Sequence, residues 1–247
     1  MNTPSKRADQ LGAHPKRFWT AVAVAEQDGE FGVYLDGRGI KTPAGHRLVL
    51  PNTATADLVA AEWSAVAEFV DYDAMPLTRL AFAAIDRMPD VVKETLAEVT
   101  RYAETDLLCY PSEYPQALIA REEAAWHPVL AWVSNELELD FNQNHTLVHR
   151  PQPPQTLEKI RALVSAMSPH EQAGLMSAVP LLGSVILALA LWRGRLDGAG
   201  AFAASRVGED FQAETWGRDD EAVRRAESMK KQALSLETWF RALPSRP

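Results

Sequence analysis

The spacing of apolar positions along the chain changes once, near residue 51. Before it, in "RFWTAVAVAEQDGEFGVYLDGRGIKTPAGHRLVL" (17–50), short apolar runs alternate with turn chemistry at Asp28-Gly29, Asp36-Gly37 and Pro43-Ala44-Gly45. This pattern predicts successive antiparallel hairpins, with strands at about 18–26, 31–36, 39–42 and 46–50. After Pro51 the period becomes helical. Val59, Trp63, Val66 and Val70 fall at i, i+4, i+7 and i+11, which predicts one helix, with Asn52 or Thr53 as its N-cap. In "MPLTRLAFAAIDRM" (75–88), Leu77, Leu80, Ala81, Ala84, Ile85 and Met88 share one helical stripe. The other face holds Arg79, Phe82, Ala83 and Asp86, a mixture that suits contact on both sides.

From Pro89 onward every segment reads as helical. The expected helices lie at about 90–108, 121–138, 156–166, 169–193 (broken near Pro180), 199–216 and 219–243. "HRPQPPQ" (149–155) is the clearest internal loop, and Gly217 stands where a helix ends. The predicted fold class is therefore α+β. Residues 1–75 form a small β-rich domain of antiparallel hairpins with one or two packing helices, and residues 76–247 form an all-α helical bundle. The stretch 172–192 contains no charged residue and is long enough to span a bilayer. Pro180, Gly183, Ser177 and Ser184 dilute it, so it reads as a buried central helix rather than a stable membrane insertion.

Composition narrows the function. The 247 residues carry 33 acidic and 25 basic side chains, a net charge of −8, which lacks the basic footprint of a nucleic-acid binder. Cys109 is the lone cysteine, so no internal disulfide can form and a reducing compartment is expected. The first seventeen residues hold no apolar core of a secretory signal. A bacterial cytoplasm is the simplest location, or the mitochondrial matrix if the source is eukaryotic.

Motifs for chemistry are missing. There is no G-x-x-x-x-G-K-[ST] or G-x-G-x-x-G, and "DGAGAF" (197–202) reads as a helix entry. His145 and His149 share the spacing H-x-x-x-H but lack a Glu partner and a third ligand, and Glu171 after Ser168-Pro169-His170 reads as a first-turn acid. Ser184 is not in a G-x-S-x-G elbow. Cys109 has no cationic neighbour in sequence and reads as inert. Arg79 and Asp86 stand two turns apart, about 10 Å along the helix, too far to pair. No catalytic residue, cofactor or metal is expected. In "GAFAASRVGEDFQAETWG" (200–217), projected on one helix, Phe202, Ala213 and Trp216 cluster with Glu209. Val207 and Phe211 face the opposite way, and Arg206, Asp210 and Glu214 form a row between them. Internal packing of both apolar sides is the expectation from spacing.

Together, "AAEWSAVAEFVDYDAMPLTRLAFAAIDR" (60–87), "RFW", "YLDGRGIKTPAGHRLVLP", "DLLCY" (106–110) and "ASRVGEDFQAETWG" (204–217) resemble one family. It is the assembly chaperone of F-type ATP synthase that handles the alpha subunit, found in mitochondria and alphaproteobacteria. The resemblance runs in order over nearly the whole chain. It implies a non-enzymatic protein that binds the free alpha subunit and shields its beta-facing surface. It also implicates the late acids Glu209, Asp210 and Glu214 in partner binding, with Trp216 and Phe202 beside them. Gly208 departs from the family pattern, where another acid is usual. Trp63, Pro76, Arg79 and Asp86 belong to the matched motif as scaffold, and nothing carries over beyond Gly217. The alternative from the acid-rich helix and the Arg79–Asp86 face is a carboxylate-dependent small-molecule hydrolase.

Overall fold

In the computed structural model, residues 15–27, 29–144, 150–217 and 219–244 are described. Four strands form the antiparallel sheet: β1 (Val22–Gln27), β2 (Glu30–Leu35), β3 (Arg38–Gly39) and β4 (Val49–Leu50). β2 is central. It pairs with β1 in the register Val24↔Val33, with β3 at Tyr34↔Gly39 and with β4 at Gly32↔Val49. The turn between β2 and β3 has positive φ at both Asp36 (48°) and Gly37 (78°), the type I′ geometry that Asp-Gly favours. The Asp36 carboxylate accepts hydrogen bonds from the backbone of Ala21 (2.8 Å) and Thr20 (3.1 Å). These bonds hold its acid below the ordinary value and dock the incoming chain on the turn. The sheet is shorter than the sequence predicts. The first strand starts at Val22 rather than at Phe18, and the predicted strands 39–42 and 46–50 reduce to β3, β4 and one bridge, Lys41↔Arg47.

Helix α1 (Thr53–Ala65) packs on β1, β2 and β4. Asn52 caps it by accepting from Thr55 N (2.8 Å), while its amide donates to the Ala242 carbonyl (2.7 Å). The predicted single helix through Val70 ends instead at Ala65. Val66 and Val70 are buried as expected, but Val70 N donates to Pro15 O (2.8 Å) and Phe69 bridges Lys16. Pairing with the N-terminal segment replaces the last helical turns.

Among the described residues nine further helices follow: α2 (Pro76–Asp86), α3 (Val92–Glu104), α4 (Gln116–Leu137), α5 (Pro154–Ser165), α6 (Pro169–Leu182), α7 (Val185–Trp192), α8 (Gly198–Ser205), α9 (Val207–Trp216) and α10 (Asp220–Ala242). The expected helix at 90–108 stops at Glu104, and a separate 3-10 turn covers Leu107–Cys109. The expected helix at 169–193 is two helices. Its break falls at Gly183, in the left-handed region at φ 63°, and Ser184, not at Pro180. Every residue from Val185 to Leu191 is buried, so α7 is the central helix, surrounded by α3, α4, α6, α8 and α10. Among the described residues no helix is long and apolar enough to cross a membrane. One continuous hydrophobic core runs from Trp19 in the β-rich part to Leu243.

Three carboxylates hold the layers together. Glu62 of α1 accepts from Leu77 N (2.9 Å), Thr78 N (2.7 Å) and Thr78 Oγ1 (2.7 Å), which caps α2 from a neighbouring element. Helix α2 has no side-chain cap of its own, and its leading N–H groups need such a partner. Asp86, at the far end of α2, accepts from Thr42 Oγ1 (2.5 Å), Ala44 N (2.9 Å) and His46 Nδ1 (2.9 Å). Burial alone would raise this acid, but the three bonds together hold it below the ordinary value. Asp106 is fully buried. It accepts from Leu108 N (3.1 Å), Ser184 Oγ (2.7 Å) and Ile186 N (3.0 Å), and so fixes the start of α7. Burial pushes its carboxyl up to about 6 against these bonds.

Candidate partner-docking site

The late segment 198–242 folds as three helices, not two. Asp197 caps α8 by accepting from Gly200 N (2.6 Å). The chain then kinks at Arg206 (φ −114°, ψ 9°), which splits the expected helix 199–216 into α8 and α9. Glu209 and Asp210 fall in the first turn of α9, where acids complement the exposed N–H groups. Gly217, at φ 91°, ends α9, and Asp219 caps α10 by accepting from Ala222 N (2.7 Å).

Helices α9 and α10 form a hairpin, but α9 packs on α4 rather than on α10. Arg121 of α4 pairs with Glu214 (2.8 Å) and lies over the Phe211 ring (5.1 Å), while Val207 packs against the core. This side of α9 is internal, as spacing predicts. The other side is open, which corrects the expectation that both sides pack internally. Trp216 is 85% exposed, α9 has no buried residue, and α10 has none before Ala233.

Between the two helices lies a groove of about 670 Å³. Phe202, Ala213 and Trp216 line one side, and Val223, Ala226 and Met229 line the other. The kink does not disperse the sequence-predicted residues. Phe202, buried at the end of α8, meets the groove together with Glu209, Asp210 and Trp216. Arg206 sits at its foot, pairs with Glu209 and Asp210 (3.7 Å to the latter), and lies over the Phe202 ring at 5.6 Å. Glu214 faces away from it toward Arg121. The α10 wall was missed from sequence. Ala226, Met229, Ala233, Leu236 and Phe240 continue one amphipathic stripe, and nothing in its spacing separates the open half from the buried half.

The scaffold residues lie elsewhere. Trp63 is buried between Trp19 (5.3 Å) and Tyr72 (6.5 Å). Pro76 opens α2. Arg79 is exposed and pairs with Asp73 (3.1 Å), while Asp86 holds the β3–β4 loop. No acid–base pair forms between Arg79 and Asp86. Glu171 closes a capping box with Ser168 and also accepts from Trp192 Nε1 (3.1 Å). Cys109 is buried, and burial together with nearby Asp106 pushes its thiol up, away from reactivity. His145 and His149 lie outside the described residues. Among the described residues no group of three or more His, Cys, Asp or Glu side chains is placed to hold a metal ion.

Known proteins resemble this chain over most of its length. Residues 16–134 match the family of ATP12 chaperone proteins. Atp12 from Paracoccus denitrificans has the same fold, with a TM-score of 0.87 and 38% sequence identity over 93% of this chain and 98% of its own. The mitochondrial atp12 protein of Schizosaccharomyces pombe is 27% identical over 219 residues, 84% of this chain and 75% of its own. The mitochondrial ATP12 protein of Saccharomyces cerevisiae is 24% identical over 264 residues, 87% of this chain and 80% of its own. A small sheet fused to this helical bundle, a motif built around Glu62 and α2, and a near-complete match at this identity lead to one assignment: the chain belongs to the ATP12 chaperone family.

Proposed function

We propose that this chain is a non-catalytic assembly chaperone of F-type ATP synthase, binding the free alpha subunit and shielding its beta-facing surface until assembly. The observation that carries this reading is the match to Atp12 from Paracoccus denitrificans over 93% of the chain, with the family match at residues 16–134 beside it. The chemistry of the groove suits it. An unassembled subunit interface is a large apolar patch prone to aggregation, and a chaperone must cover it and then release it. Glu209 and Asp210 meet a partner already paired with Arg206, so docking does not bury bare charge. A contact that is partly polar is displaced more readily by the final subunit. The hydrolase reading has little support, because the candidate acids stand on an open groove and Asp86 is fully engaged in holding a loop. Two relatives are named as mitochondrial. By this reading the chain works where the synthase is built, in a bacterial cytoplasm or the mitochondrial matrix.

The test uses purified alpha subunit. The chain should co-elute with it in gel filtration and suppress its aggregation in light scattering. Glu209→Lys and Asp210→Lys should weaken association about tenfold, or about 1.4 kcal/mol, with the fold retained and melting lowered only modestly, because each also gives up a pair with Arg206 and a first-turn acid. A chain that neither binds the alpha subunit nor protects it would refute the proposal.

A further inference from the structure

We infer that the groove between α9 and the first half of α10 receives an amphipathic helix of the alpha subunit, its apolar stripe seated on the apolar lining and its charged flanks meeting the ionic side chains of each wall. The inference rests on the function proposed above and names the kind of segment the site accepts.

The first observation is geometric. Helices joined by so short a turn ordinarily pack together at 8–10 Å. Here α9 leans on α4, and the two hairpin helices leave apolar side chains facing a gap. The lining positions on α9 run from Arg206 to Trp216 and those on α10 from Ala222 to Lys230. At 1.5 Å per residue these stripes are about 12–15 Å long, the length of two to three helical turns. The second observation is energetic. From Asp220 to Gln232, and throughout α9, no residue is buried. Helices in folded proteins draw most of their stability from tertiary packing, so a guest that fills the gap adds packing that α9 and the first half of α10 lack.

The third observation is charge. Arg206, Glu209 and Asp210 line the α9 side, which is acidic by one charge, and Asp219, Arg225, Glu227 and Lys230 line the α10 side, where acids and bases balance. Among the described residues Arg225 and Lys230 enter no ion pair. The complementary guest carries apolar side chains at i, i+3 or i+4, and i+7. Lys or Arg on one flank meets Glu209 and Asp210, and Asp or Glu on the other meets Arg225 and Lys230. An extended peptide would gain no backbone partner here, because both walls are helices whose N–H and C=O groups are already bonded along their own axes.

The experiment places a photoreactive benzophenone maleimide on Ala226→Cys of the full chain. Cys109 is buried and stays unlabelled. After mixing with purified alpha subunit and illumination, cross-linked peptides are mapped, and the mapping is repeated from Ala213→Cys and Met229→Cys. The inference expects adducts in one alpha-subunit segment, at residues spaced three or four apart. Ala213→Trp, which fills the groove from a partly exposed position, should weaken association at least tenfold and leave the melting temperature unchanged. Adducts at every second residue, adducts mainly to a second copy of this chain, or a complex that Ala213→Trp leaves intact overturn the inference while the proposed function stands. Absence of any complex overturns both.

Discussion

Gly198 and Gly208 lie ten residues apart in the late helices, and the structure assigns them opposite responses to a methyl group. A Cβ at Gly198 would stand 2.5 Å from the Ala233 carbonyl oxygen and 2.9 Å from the Leu234 Cα. Ordinary contact is about 3.5 Å, so α8 and α10 would have to separate by about 1 Å. Those neighbours are backbone atoms of α10, which cannot rotate aside, and Gly198 N is also tied to Glu237 Oε2 (2.7 Å). Overpacking of this kind costs about 1–3 kcal/mol. In a chain of this size each kcal/mol is worth about 2–4 °C of melting temperature, so Gly198→Ala should melt about 3–10 °C lower. Gly208 lies inside α9, and a Cβ there meets nothing within 4 Å. Gly208→Ala removes backbone entropy from an exposed helix and should stabilise by up to about 1 kcal/mol. Urea denaturation of the two variants beside the parent measures both effects. If Gly198→Ala is neutral, or if the two variants shift in the same direction, the close approach of α8 to α10 is wrong.

Other substitutions test the carboxylate joints. Glu62→Ala strips the cap from α2 and should cost about 1–3 kcal/mol in urea unfolding, whereas loss of an exposed acid would cost almost nothing. Asp106→Ala leaves the Ser184 hydroxyl and the amides of Leu108 and Ile186 without their buried acceptor, and a loss of about 3–5 kcal/mol is expected from thermal melts. His170 is held neutral by burial, with its titration pushed down to about 4. Its folded value lies below its unfolded one, so its contribution is present above pH 6.5 and is lost as pH falls through about 4. A stability profile across that window should flatten in His170→Gln, by roughly 3 kcal/mol at the acid end.

The residues that sequence reads well are those whose local spacing and tertiary role agree. Val59 and Trp63 mark α1, the Leu77–Met88 stripe marks α2, and the uncharged run around α7 marks the bundle's centre. Misreadings occur where a distant group decides. Val66 and Val70 keep helical spacing, yet the segment at Pro15 and Lys16 captures that stretch as extended chain. The 169–193 segment breaks at Gly183-Ser184 because Asp106, far back in the chain, holds the new helix start. The Arg206 kink has no marker, since Ala, Ser and Arg all continue a helix readily. In the site, the α9 acids are visible in sequence. The α10 wall is not, because its apolar positions look like any other core stripe.

The hydrogen bond from Asn52 to the carbonyl of Ala242 bears on how this chain is made. The cap of the first helix is completed by a residue synthesised 190 positions later, and the second half of α10 closes the packing around α7. At about 5–20 residues per second, the apolar surface of α7 waits roughly 3–10 s between the synthesis of Trp192 and that of Ala242. Helices α3, α4, α6 and α8 can pack on α7 before then, but the face that α10 covers cannot. That face closes only when α10 arrives, so a member of a chaperone family has its own interval of exposure during translation.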